Sequence, residues 1–256
     1  ETQHLSVDEW RVLGELSAAG NLVEQLRLVK DQPEIEALTQ ACEVSVAAIS
    51  RLWNEPLLGL SERQIAARLE GLMRDLGAED RAFDTIVASG PHSAIPHHEP
   101  TDLLVESGDL LKIDFGARVA GYHADCTRTV VVGKASAWQQ EIHEAVRHAQ
   151  SLGVEALKPG AKIADIDALV RADLAESGWL DRFTTGLGHG VGLRIHEDPF
   201  FGSNAVGRIE RRMVLTIEPG IYLAGRGGVR IEDTVLVNEI GPVVLTDVTT
   251  ELMEIS

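Results

Sequence analysis

Apolar residues recur at helical spacing in four main runs, each with its own boundary signals. The clearest covers residues 62–76. Ile65, Leu69, Leu72, Met73 and Leu76 share one face, Ser61 with Gln64 makes a capping box, and Gly77 stops the run. Residues 34–53 follow Pro33, at a first-turn position where proline's missing N–H costs nothing. Residues 137–156 and 165–177 predict two more helices, separated by the breaker "KPGAK". Between these runs the period falls to two. "AFDTIVASG" predicts a strand, and "PHSAIPHHEPTD", with three prolines, a loop. Lys112–Phe115 and "TRTVVVG" predict the two arms of a hairpin turning near Gly121.

That hairpin carries Asp114 on one arm and Asp125 on the other. A turn centred on Val119 and Ala120 sets the two directly opposite, with Cβ atoms roughly 4.5–5.5 Å apart. Carboxylates that close repel, and one takes a proton unless a cation sits between them. Taken alone, the pair reads more readily as polar residues at a solvent edge. The second half of the chain repeats the plan. After its two helices comes the glycine-rich "TTGLGHGVGLRIHEDP", then a hairpin, "RMVLTIEPGIYLAGRGGVRIEDTVLV". Its outgoing strand holds Glu218, its turn is "AGRGG" and its return strand holds Glu232. The expected fold is therefore α+β: two pseudo-duplicated halves, each helix, helix and acidic hairpin, facing a shared cleft. The duplication lies in element order rather than in residue identity.

Composition narrows the function classes. The chain has 256 residues, 44% of them hydrophobic, enough for a large core. Its net charge of −17, from 40 acidic and 23 basic residues with no basic cluster, argues against a nucleic-acid partner. The low aromatic content offers no base-stacking platform. No apolar run reaches membrane-spanning length and no secretory leader pattern opens the chain. Two cysteines, Cys42 and Cys126, make neither a disulfide framework nor a CxxC site, which fits a reducing cytoplasm. Cys126 follows Asp125 and so faces away from it on a strand, as a packed thiol.

The four acids, Asp114, Asp125, Glu218 and Glu232, carry −4, which two divalent cations match. His189 is placed to add a nitrogen. Oxygen-rich ligands with one imidazole suit Mn²⁺, Co²⁺, Fe²⁺ or Zn²⁺. The glycines around His189 read as close backbone approach beside a ligand.

The motifs "IDFGA…GYHADCTRT", "GHGVGLRIHEDP", "TIEPGIY" and "VRIEDTVLV", in this order, resemble those of the pita-bread-fold metallopeptidases, peptidase family M24. With "SGPHSAIPHHEPTD" the chain is most similar to the proline-specific branch, Xaa-Pro aminopeptidases and Xaa-Pro dipeptidases (prolidases). The resemblance implies dimetal-dependent hydrolysis of the Xaa-Pro bond by a metal-bridging hydroxide, releasing the N-terminal residue of peptides or dipeptides. It implies five metal ligands, Asp114, Asp125, His189, Glu218 and Glu232, with Asp125 and Glu232 bridging. Asp114 completes one metal site, and His189 and Glu218 the other. Two divalent ions are expected per chain, manganese first, with cobalt, zinc or iron(II) compatible. Glu218 is expected to handle the proton of the attacking water. His97 and His196 match the family's active-site histidines, which hydrogen-bond substrate and stabilise the tetrahedral intermediate. Arg230, on the strand face of Glu232, matches a family arginine near the site. The remaining histidines, at 4, 92, 98, 123, 143 and 148, read as structural or surface residues, although His98 and His123 adjoin motif residues.

The expected partner is a peptide with proline at the second position, with neither nucleic acid nor membrane. Residues 1–25, including the helical opening "SVDEWRVLGELSAAGN", read as the tail of an upstream domain or linker, and 26–256 as the catalytic domain. The resemblance implies a homodimer for the full-length form. Before Met213 the family often has a proline-glycine turn; here Glu210-Arg211-Arg212 stands in its place. Three other readings use the same fold: a methionine-type aminopeptidase, a metal-free creatinase-like hydrolase, and a non-catalytic binding module. The complete ligand set opposes the last two.

Overall fold

The structure, a computed structural model, describes residues 11–12 and 21–256. The expected opening helix lies mostly outside these residues. Five helices follow: α1 (Leu22–Leu28), α2 (Gln32–Leu52), α3 (Glu62–Asp75), α4 (Ala137–Glu155) and α5 (Ile163–Glu176). The last four fall where the apolar periodicity put them. Their starts are set by local hydrogen bonds. Ser61 and Gln64 form the expected capping box, and Asp31 with Glu34 forms another that spans Pro33.

Each half builds one core. In the first, α2 and α3 pack on a four-stranded sheet of β2 (Ile86–Ser89), β3 (Leu110–Phe115), β6 (Cys126–Val132) and β14 (Glu254–Ile255), in the order β14-β6-β3-β2. In the second, α4 and α5 cover a five-stranded sheet, β13-β12-β9-β7-β8. Its strands are β7 (His189–Gly190), β8 (Glu197–Phe200), β9 (Val214–Ile217), β12 (Asp233–Asn238) and β13 (Gly241–Val244). β10 (Gly220–Leu223) pairs with β11 (Gly227–Arg230), and β1 (Asp80–Arg81), β4 (Ala117–Val119) and β5 (Tyr122–His123) make a small third sheet. Cys42 and Cys126 are buried free thiols in the first core.

The first hairpin corrects the expected register. Asp114 faces Thr127, not Asp125, and Arg118 faces His123. The turn is Ala120-Gly121, with φ of 50° and 80°, rather than Val119-Ala120. Positive φ at both central residues suits a two-residue hairpin, and β-branched Val119 would be strained there. Asp125 thus lies diagonal to Asp114, a relation that separates such residues by roughly 7–8 Å and leaves room between the carboxylates. In the second hairpin Ile217 pairs with Asp233 and Gly220 with Arg230. Glu218 and Glu232 therefore face each other in the gap between two paired stretches.

The two hairpins meet along β6. The Glu232 N–H donates to the Thr127 carbonyl at 3.0 Å, and the Thr129 hydroxyl donates to the Arg230 carbonyl at 3.0 Å. This seam carries the acids of both halves to one place.

Candidate metal centre

Asp114, Asp125, His189, Glu218, Glu232, His97 and His196 all line one cavity of about 830 Å³. Their delivery there is backbone work. Asp114 sits near the end of β3, and Asp125 is held just before β6 by the Thr234 hydroxyl, which donates to its carbonyl at 2.7 Å. His189 rides on a segment pressed against its neighbours. A Cβ on Gly188 would lie 2.1 Å from the Thr216 carbonyl oxygen, and one on Gly190 would lie 2.2 Å from that of Asp198. These glycines serve backbone against backbone, so that the histidine between them projects into the cleft.

The side-chain geometry is short of donors. Glu232 accepts the Thr127 hydroxyl at 2.6 Å, and Glu218 has only a long contact, 3.4 Å, from the Thr216 hydroxyl. Asp114 Oδ2 accepts from Arg230 Nη2, while its Oδ1 is buried with no partner among the described residues. His189 Nδ1 lies 2.9 Å from the Gly190 carbonyl, so that nitrogen carries the proton. Nε2 then turns its lone pair toward Asp125 Oδ2 at 3.5 Å and Glu218 Oε1 at 3.4 Å.

Electrostatics follow from this crowding. Burial, then the neighbouring carboxylates, push Asp125 and Glu232 well up from the usual carboxylate range. Burial pushes Glu218 up to about 7. His189 is pushed down to about 4 by burial, and burial also lowers His97 and His196. Buried acids that would rather hold protons, an orphaned carboxylate oxygen and a neutral imidazole aimed at them together fit divalent cations. Asp125, His189 and Glu232 place ligand atoms within 4.8 Å of one another. The expected match of four negative charges to two divalent ions omits a partner: Arg230 already neutralises one of the four.

Arg230 is 1% exposed and lies behind the cavity wall. Besides Asp114 it donates to Thr127 Oγ1 at 3.0 Å, the Tyr222 hydroxyl at 3.0 Å and the Pro96 carbonyl at 3.1 Å. Its place is to orient Asp114. His196 meets His189 edge-on, with ring centroids 4.5 Å apart.

The sequence reading missed Lys112, Tyr222 and Thr127. Lys112, fully buried and pushed down to about 6 by burial, donates to the Ile95 carbonyl at 2.6 Å and the Pro96 carbonyl at 3.2 Å. Lys112 and Asp114 share a strand face, as do Thr127 and Thr129. That alternation is the signal that could have found them. Of the histidines read as structural, His143 is buried, His148 pairs with Asp173, His123 bonds the Gly192 carbonyl, and His92 and His98 face Glu62. His4 lies outside the described residues.

Residues 36–239 match the model of metallopeptidase family M24. The chain is 45% identical over 239 residues to the Xaa-Pro dipeptidase of Pyrococcus furiosus, covering 93% of this chain and 69% of that protein. Among solved structures, the Xaa-Pro dipeptidase from Bacillus anthracis superposes with a TM-score of 0.97 and 38% identity. The X-Pro aminopeptidase from Thermotoga maritima gives 0.96 and 38%. Each of these two matches covers 100% of this chain and 73% of the other.

Proposed function

The chain belongs to metallopeptidase family M24, with the pita-bread fold, and from that premise we propose that its cavity hydrolyses the bond between an N-terminal residue and a following proline. It is a metallo-exopeptidase. Asp114, Asp125, His189, Glu218 and Glu232 hold two divalent ions, manganese first. The observation that carries this assignment is the buried, donor-poor carboxylate cluster around the free lone pair of His189. Bound metal supplies a Lewis acid and a water of lowered pKa.

The protein's own groups do the rest. Glu218 is the carboxylate placed to take the proton of the attacking water and return it to the leaving nitrogen. His97 and His196, lowered by burial, stay neutral near pH 7 and offer ring N–H groups as hydrogen-bond donors to a developing oxyanion. Return of the proton from Glu218 to the leaving nitrogen matters for proline, whose tertiary amide has no N–H for an enzyme to hold. Phe83, Ile86, Ile95, Ile195, Phe200 and Phe201 give the cavity an apolar wall for a pyrrolidine ring. Two buried, unpaired thiols suit a reducing compartment. No helix among the described residues is long and apolar enough to cross a membrane.

The test strips the metal and assays Ala-Pro and Ala-Pro-Ala with Mn²⁺, Co²⁺ or Zn²⁺ restored, beside Asp125→Asn. Metal-dependent release of alanine, abolished by the substitution, is expected. Cleavage of the dipeptide alone marks a dipeptidase, and cleavage of both an aminopeptidase. Faster release of methionine from Met-Ala-Ser than of alanine from either proline peptide refutes the proposal.

A further inference from the structure

The segment that carries His97 hangs from one buried carboxylate. Glu62, the first residue of α3, is 0% exposed. Its Oε1 accepts the Ser89 N–H at 2.8 Å and faces His92 Nδ1 at 2.9 Å. Its Oε2 accepts the N–H and hydroxyl of Thr101 at 2.8 and 2.7 Å and faces His98 Nε2 at 2.8 Å. One oxygen thus gathers the beginning of the 89–101 segment, and the other its end. Backbone bonds from Glu62 N to the Leu103 carbonyl and from Arg63 N to the Thr101 carbonyl, both 3.1 Å, fasten the second stem to the same helix.

Between these two ends the chain reaches inward, and Ile95, Pro96 and His97 line the cavity. From inside, Lys112 and Arg230 hold the Ile95 and Pro96 carbonyls. From outside, the hold is Glu62, through the residue directly after His97. One ring of the His97-His98 pair is committed to the anchor while the other faces the cavity.

The spacing of Glu62, His92 and His98 would also admit a metal ion. The hydrogen bonds decide otherwise. A carboxylate has about four lone-pair sites. Two backbone N–H groups and a hydroxyl already take three of them, and both imidazoles stand at hydrogen-bond distance from the oxygens. The trio is an anchor.

We propose that Glu62, with His92 and His98, is a clasp that positions His97 over the acidic cluster and so sets the rate of hydrolysis without touching substrate. The proposal rests on the function given above. Glutamine at position 62 brings an NH₂ group into a ring of donors, so one stem of the segment must let go.

The test is a double-mutant cycle in the metal-loaded full chain: Glu62→Gln with His97 present and with His97→Ala. With His97 present, kcat on the better of Ala-Pro and Ala-Pro-Ala falls roughly tenfold or more, as expected of a displaced catalytic group. In the His97→Ala background the same change costs less than about twofold, because the two residues act as one unit. Metal stoichiometry by calorimetry is unchanged. Hydrogen exchange of the Ile95 amide, bonded to the His92 carbonyl at 2.9 Å, becomes faster. Equal losses in the two backgrounds, or no loss in either, overturn the clasp. Should Glu62→Gln fail to fold, Thr101→Val removes one hydroxyl donor and goes through the same cycle, with a smaller loss that again requires His97. If the parent protein cleaves neither peptide, the proposed function fails, and exchange at Ile95 decides the clasp by itself: faster in the variant supports it, unchanged overturns it.

Discussion

Glu218 illustrates how a residue acquires chemistry from its surroundings. Burial raises its carboxyl from an ordinary 4.5 to about 7. In the metal-free protein the folded state therefore binds this proton more tightly than the unfolded state does. The stabilising contribution is whole below about pH 4.5 and is lost as pH rises through about 7. Glu218→Gln keeps the shape of the protonated form at every pH. Metal-free wild type is expected to lose stability relative to this variant between about pH 5 and about pH 8, by on the order of 3 kcal/mol. Urea unfolding of both proteins at the two pH values measures the difference, which reads Glu218 together with the Asp125 and Glu232 carboxyls it repels. Parallel curves would contradict the raised value. Only cations or protons relieve such a cluster, which is why metal uptake is expected to release protons.

At the scale of elements, the first hairpin shows how a turn decides a site. The acids were legible as residues on opposite arms, but their relation depended on which two residues make the turn. Ala120 and Gly121 make it, both at positive φ. Alanine is a poor choice for the first position, where asparagine is favoured. Ala120→Asn is expected to raise stability by about 0.5–1 kcal/mol, with the metal site unchanged, read as a shift in denaturant midpoint at constant slope. A similar departure stands at Arg212, a non-glycine residue with φ of 69°, in a turn that the Met213 N–H closes on the Glu210 carbonyl at 3.3 Å.

At the scale of the molecule, the two halves are joined through a buried ion pair. Arg128 Nη2 reaches Asp233 Oδ1 at 2.6 Å and the Val248 carbonyl at 2.7 Å, and Nη1 donates to the Glu232 carbonyl. Gln150 on α4 donates to Asp233 Oδ2 at 2.8 Å. One guanidinium thus ties β6 of the first half to the return arm of the second and to the C-terminal segment. Arg128→Met leaves Asp233 with a buried charge and several carbonyls unpaired. The expected cost is about 3–5 kcal/mol, seen in thermal or urea unfolding, together with weaker metal binding because the Glu232 carbonyl loses its guanidinium donor. Unchanged stability would mean that the other hydrogen bonds of the seam and its apolar packing hold the halves without this ion pair.

The sequence by itself determined four of the five helices and the two acidic hairpins, and its motifs named seven of the residues that line the cavity. Those follow from local causes: apolar period, capping boxes, proline and glycine positions, and motifs whose spacing survives in one dimension. Tertiary structure decided the rest. It set Asp114 opposite Thr127, moved Arg230 behind the wall as the partner of Asp114, drew in Lys112 and Tyr222 from beside the motif acids, and recruited Glu62, whose neighbours in the sequence say nothing of catalysis. The reason is physical. A buried charge must find its donors wherever the fold brings them, and Glu62 finds its donors in a segment about thirty residues farther along the chain.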